Sequence, residues 1–100
     1  EPVRQIPASY LRALGRLQVS PSALRILTVI FDRTVGLGKA RDEIFRSQIE
    51  AATGILGSNV SRAIRELEEA SVVEVTRHGQ GPSQGASTFA ILHPSNWRSR

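Results

Sequence analysis

The segment from Ser47 to Ala70 constrains this chain more than any other. It holds two helical patterns too close together for anything but a tight turn between them. Ser47-Gln48-Ile49-Glu50 fits a capping box, in which a serine oxygen takes a free amide of the first turn and the glutamate returns to the serine amide. The helix it opens is expected to stop at Thr53, because Gly54 suits the left-handed geometry that ends helices. Gly57-Ser58 reads as a second cap, followed by Val60, Ala63, Ile64 and Leu67 at i, i+3, i+4, i+7. Such a stripe packs one side of a helix on a core. It leaves Ser58, Asn59, Ser61, Arg62 and Arg65 on the other side.

The flanking sequence supplies the rest of the core. Tyr10, Leu11, Leu14 and Leu17 recur at helical spacing after Pro7 and mark a short first helix. Ser20-Pro21 starts a second, with serine as cap and proline suited to the first turn. Its apolar residues, Ala23, Leu24, Ile26, Leu27, Val29, Ile30 and Phe31, cover so much of the circumference that a central, mostly buried helix is expected. Two glycines in Thr34 to Lys39 break the pattern, and Glu43-Ile44-Phe45 reads as a short extended piece. After Ala70, the β-branched run Val72, Val73, Val75, Thr76 predicts one strand and Thr88 to Leu92 another. The segment between them, His78 to Ala86, carries three glycines and a proline and reads as a long hairpin tip. The expected architecture is one domain over 1–100, with a core at about 8–93, mainly α with a small β-hairpin.

Two short helices joined by a glycine-containing turn, the second amphipathic, form the helix–turn–helix arrangement, and the hairpin after it makes the winged form. The exposed residues of the second helix are of the types that read duplex DNA. Asparagine pairs with adenine, arginine with guanine, and serine with a base edge or a phosphate. An ordinary solvated helix face is the alternative reading. Arg62 and Arg65 lie in the first half of this helix, whereas Glu66, Glu68 and Glu69 crowd its second half. Carboxylates are repelled by phosphate, so the N-terminal half is the one expected to enter a major groove, although the glutamates could equally serve solubility. Arg46, Ser47 and Gln48, at the start of the preceding helix, are candidates for holding phosphates. Arg77, His78, Gln80, Ser83 and Gln84 are candidate contacts of the wing, for which a plain surface loop is the alternative.

Charge agrees with an anionic partner. There are 13 Lys+Arg against 9 Asp+Glu, a net charge of +4, and Lys39 is the only lysine. The positive charge is therefore almost all guanidinium, which pairs with phosphate or a guanine edge through two hydrogen bonds. There is no cysteine, which excludes disulfides and cysteine-based metal sites and fits a cytoplasmic, nucleoid-associated address. No apolar run approaches the roughly 20 residues of a membrane span, and the first residues do not form a signal peptide. No membrane partner is expected. The lack of an initiator methionine reads as a fragment of something longer.

Other chemistry has little support. Gly36-Leu37-Gly38-Lys39 lacks the spacing and the following Ser/Thr of a phosphate loop. His78 and His93 have no nearby cysteines or well-spaced carboxylates, so no metal, no cofactor and no catalytic group is expected. Tyr10, Phe31, Phe45, Phe89 and Trp97 fall mostly at apolar-pattern positions and read as core rather than as a base-stacking platform. The chain is not expected to be an enzyme. A transcriptional regulator and a protein-interaction domain of the same fold are the alternative functions.

Several of these segments together resemble the N-terminal DNA-binding domain of the phage replication protein O family. They are Leu24-Arg25-Ile26-Leu27-Thr28-Val29-Ile30, Arg33-Thr34-Val35-Gly36-Leu37-Gly38-Lys39, Asp42-Glu43-Ile44, and the stretch Ser47 to Leu67. The Arg-Thr-x-Gly-x-Gly-Lys stretch followed by Asp-x-Ile is the more specific part, since helix–turn–helix units are widespread. The chain departs from the family at Val35 or Leu37, where an aromatic is expected, and in the turn Gly54-Ile55-Leu56-Gly57-Ser58. The resemblance implies an origin-binding module of a replication initiator that contacts repeated double-stranded sites as a homodimer. It also implies that a separate region, absent from this sequence, recruits the replicative helicase or its loader.

Overall fold

The computed structural model describes residues 6–78 and 86–98. Four helices come first in the chain order, with one strand among them: α1 (Ala8–Arg16), α2 (Pro21–Arg33), β1 (Asp42–Phe45), α3 (Arg46–Thr53) and α4 (Gly57–Glu69). Then follow β2 (Val73–Arg77) and β3 (Ala86–Ile91). The chain is thus mainly helical with a small antiparallel sheet. The sheet has three strands in the order β1-β3-β2, so the extended piece at Glu43 to Phe45 joins the expected hairpin instead of standing apart. Ile44 opposite Ser87 and Val75 opposite Phe89 fix the register. With it, Ile44, Val73, Val75 and Phe89 share the face that packs on the helices.

Five α2 residues, Ala23, Ile26, Leu27, Ile30 and Phe31, are buried against Ile49, Val60, Ile64 and Leu67. Central placement is as expected, and of the seven apolar residues named for it only Leu24 is exposed. Leu24 is 40% exposed, because the sheet and α4 cover one side of α2 and leave the Leu24 side uncovered. Leu11 departs further at 54% exposed, while its neighbours Tyr10, Leu14 and Leu17 pack on the core. Tyr10, Phe31 and Trp97 meet edge to face, with ring centroids 5.8 to 6.4 Å apart, and tie the C-terminal segment to α1 and α2. Phe45 is the exception among the aromatics, 37% exposed at the junction of β1 and α3.

The ends of α2 and α4 are closed by specific hydrogen bonds. Ser20 caps α2 through its hydroxyl, which accepts the Ala23 N–H at 3.2 Å. Glu66, on α4, then holds the cap itself. The Ser20 N–H donates to Glu66 Oε2 and the Ser20 hydroxyl to Oε1, both at 2.7 Å. Just past this C-terminal end of α4 the chain turns through Ser71 at φ 58°, with the Ser71 N–H on Glu68 O and the Val72 N–H on Leu67 O. That bond pair is a Schellman motif, closed by Leu67 and Val72 meeting in the core.

The linker that carries the family resemblance is a joint. Thr34 is fully buried, and its hydroxyl donates to Ile30 O at 2.7 Å. The Thr34 carbonyl accepts from the Leu37 and Lys39 amides around a 3₁₀ turn, Val35–Leu37, which ends at Gly38 with φ 71°. Arg33 and Lys39 then converge on one carboxylate, that of Asp42, at 3.0 and 3.5 Å. With Lys39 engaged and Gly36 inside the 3₁₀ turn, this stretch has none of the strand-to-helix geometry of a phosphate loop.

Candidate nucleic-acid interface

β1 runs directly into α3. Pairing of Phe45 with Ala86 holds the strand to its last residue, so the helix begins at Arg46, one residue before the expected cap. The serine capping box is therefore not formed. Gln48 does its reciprocal half, its Oε1 accepting the Phe45 N–H at 2.8 Å, and Ser47 is left exposed within the first turn. α3 closes as expected at Gly54, whose φ of 75° lets its N–H reach Glu50 O at 2.8 Å. Arg25, on α2, donates to the Thr53 carbonyl at this C-terminal end.

Ile55 plugs the turn into the core, and its N–H donates to the Thr53 hydroxyl at 3.2 Å. Leu56 stands out at 72% exposed and caps α4 by its backbone alone. Neither Gly57 nor Ser58 is the cap; both belong to the first turn of α4. The Glu50 carboxylate approaches that turn, and a β-carbon built on Gly57 would lie 3.7 Å from Glu50 Oε2. A carboxylate thus already faces the positive end of the α4 dipole.

The four core residues of α4 are the expected ones, Val60, Ala63, Ile64 and Leu67. With ~100° between successive residues, Ser58, Arg62 and Arg65 lie opposite this stripe, Ser61 on one flank and Asn59 on the other. Ser58, Asn59, Arg62 and Arg65 are exposed, and Ser61 is half-buried. On the Ser61 flank a cleft of about 240 Å³ opens between α3, α4 and the inner face of the sheet. Its rim carries Arg46, Arg65 and Arg77, and its polar walls include Ser61 and Ser87. Ser87 lies directly across the sheet from Arg77, a pairing that required the hairpin register and was not legible from the sequence.

The arginines around this cleft differ in their engagement. Arg77 reaches back to Glu68 with both guanidinium nitrogens, at 2.6 and 3.1 Å, and this pairing raises its pKa above the ordinary arginine value. Among the described residues, Arg46, Arg62 and Arg65 make no ion pair and no side-chain hydrogen bond. His78 follows Arg77 but turns to the opposite face of the sheet, where its Nε2 lies 2.8 Å from Thr88 Oγ1 and 3.8 Å from Glu43 Oε2. The structure therefore brings Arg46, Ser61, Arg65 and Arg77 together, sets Ser58 and Arg62 beside them, and directs His78 elsewhere. Gln80, Ser83 and Gln84 lie outside the described residues.

Among the described residues no group of three or more His, Asp and Glu could hold a metal ion, and no helix is long and apolar enough to cross a membrane. Comparisons of the chain with protein-family models, with curated proteins and with solved structures find no match, so any role for this surface is argued from its residues and the motifs quoted above.

Proposed function

We propose that this chain is a winged helix–turn–helix module that binds double-stranded DNA through the N-terminal half of α4. One observation carries the reading. Three arginines without partners among the described residues, Arg46, Arg62 and Arg65, meet on one side of the fold, Arg46 and Arg65 lining a cleft with Ser61 and Arg62 exposed with Ser58 on the same side of α4 as Arg65, while the carboxylates of Glu66 and Glu68 are occupied within the fold. A long cationic side chain left exposed and unpaired among hydroxyl donors is suited to phosphate and base edges. The motif resemblance adds the proposed biological role, origin binding in a replication initiator, with pairs of sites occupied by a homodimer and the helicase or its loader recruited by a separate region.

Selection of bound duplexes from a random pool, followed by titrations against salt, tests both levels. We expect a recovered consensus and an affinity that falls steeply with salt. Arg62→Ala and Arg65→Ala should each flatten the slope by about 0.9 if they hold one phosphate apiece, or relax one base position if they read an edge. Weak, salt-insensitive binding unaffected by either change refutes DNA binding. A consensus without repeated or symmetric half-sites refutes the dimeric, origin-binding form.

A further inference from the structure

A second arginine cluster lies away from the α4 surface. Arg12 and Arg16, one turn apart on α1, face Arg98 across a cleft of about 340 Å³ whose walls also include Ala13, Leu17, Pro94 and Trp97. All three arginines are exposed, and among the described residues none makes an ion pair or a side-chain hydrogen bond. The cleft is built on rigid parts. The Arg98 N–H donates to the Ala70 carbonyl at 2.6 Å, and the Trp97 indole N–H to the Leu92 carbonyl at 2.8 Å. The bond to Ala70 puts this cluster at the C-terminal end of α4, about 20 Å along the helix from the end proposed to meet DNA.

We infer that this cleft docks an acidic peptide segment of a partner protein, one that carries carboxylates beside apolar side chains. Guanidinium groups pair with carboxylates through two parallel hydrogen bonds, and three of them around one cleft favour a ligand with more than one negative charge. The floor decides between peptide and nucleic acid. Ala13, Leu17 and Trp97 offer apolar surface that a sugar-phosphate backbone would not use, whereas leucine or phenylalanine next to a glutamate would fill it. Arg98 also borders a smaller cleft with Glu66 and Glu69, which bounds the cationic region on that side and limits it to a short segment. The inference does not rest on DNA binding by α4.

Trp97 is the only tryptophan in the chain, so its fluorescence reports on the cleft directly. The probes are the end-blocked peptide EELFEELL, its basic counterpart KKLFKKLL, and a 20-base-pair duplex, each titrated into the whole chain. We expect a saturable change with EELFEELL and none with KKLFKKLL. Affinity should fall at least ~10-fold in Arg12→Glu/Arg16→Glu, and also in Arg98→Glu, since each substitution turns an attraction into a repulsion. Both variants should keep the wild-type circular dichroism, because none of these side chains holds the fold together. Arg62→Ala should leave the response unchanged. No saturable response to EELFEELL overturns the inference, as does a response that persists undiminished in both variants. A Trp97 change driven by the duplex and lost in Arg12→Glu/Arg16→Glu overturns it in favour of a nucleic-acid site.

Discussion

Replacing Glu68 with glutamine should tighten duplex binding, and it should do so only while Arg77 is present. In the free protein Arg77 is held by the Glu68 carboxylate through two hydrogen bonds, on the rim of the cleft that also carries Arg46 and Arg65. For Arg77 to reach a phosphate, that pair must open. The side chains are 58% and 28% exposed, so solvent screens the pair and its worth is about 0.2–1 kcal/mol, not the several expected of a buried one. Removing the carboxylate charge spares that cost, which converts to a gain in affinity of up to about fivefold. Fluorescence anisotropy with a labelled duplex at fixed salt measures it. The double variant Glu68→Gln/Arg77→Ala is the control, since the gain should vanish there if it acts through Arg77. Unchanged or weaker binding by Glu68→Gln refutes the reasoning. So does a gain that survives in the double variant, which would reduce the effect to long-range charge. Thermal unfolding should show only a drop of a few degrees, in keeping with an exposed pair.

Other outcomes follow from the joints of the fold. Ser71→Gly should stabilise by ~0.5–1 kcal/mol, because Ser71 holds φ 58° at the Schellman turn and glycine takes that conformation without a β-carbon clash; a lowered melting temperature would contradict the geometry. Glu66→Ala should cost ~1–2 kcal/mol by releasing the Ser20 amide and hydroxyl at the start of α2, with urea denaturation as the measure. Gly54→Ala should cost ~1 kcal/mol in the same assay, since φ 75° is strained for any residue with a β-carbon even though nothing crowds the site. Leu56→Ser should leave the unfolding free energy from urea denaturation within about 0.5 kcal/mol of wild type, because Leu56 is 72% exposed.

The core was largely legible from spacing. The α4 stripe, the Gly54 stop and the main buried residues of α2 all follow from period and turn chemistry, both of which are local. The failures share a cause. Leu11 and Leu24 have the right character for a core, but exposure depends on which side of a helix the remaining elements cover, and that is a tertiary fact. The Ser47 cap fails because β1 is held to Phe45 by its pairing with Ala86, so strand register overrides a good local signal. For the candidate site, spacing brought out Arg62 and Arg65 on the free face of α4. It did not show that Arg77 is already engaged, that His78 turns to the other face, or that Arg12, Arg16 and Arg98 meet, since each depends on long-range placement.

Sorting the arginines by what they already hold separates structure from function better than their count does. Arg25 closes the end of α3, Arg33 fastens α2 to β1 through Asp42, and Arg77 clasps Glu68. In each case the cation lies where a carboxylate or a free carbonyl needs it, and a chain that bound nothing would still have use for it. Arg46, Arg62 and Arg65 satisfy nothing within the described fold, and neither do Arg12, Arg16 and Arg98. A net charge of +4 would be consistent with cations scattered over the surface. Here, among the described residues, six of the unengaged cations gather in two groups toward opposite ends of α4, one with the hydroxyls of Ser58 and Ser61 and one beside Ala13, Leu17 and Trp97. Two surroundings that differ in polarity fit two different anions, which is why duplex DNA is proposed for the first and an acidic peptide for the second.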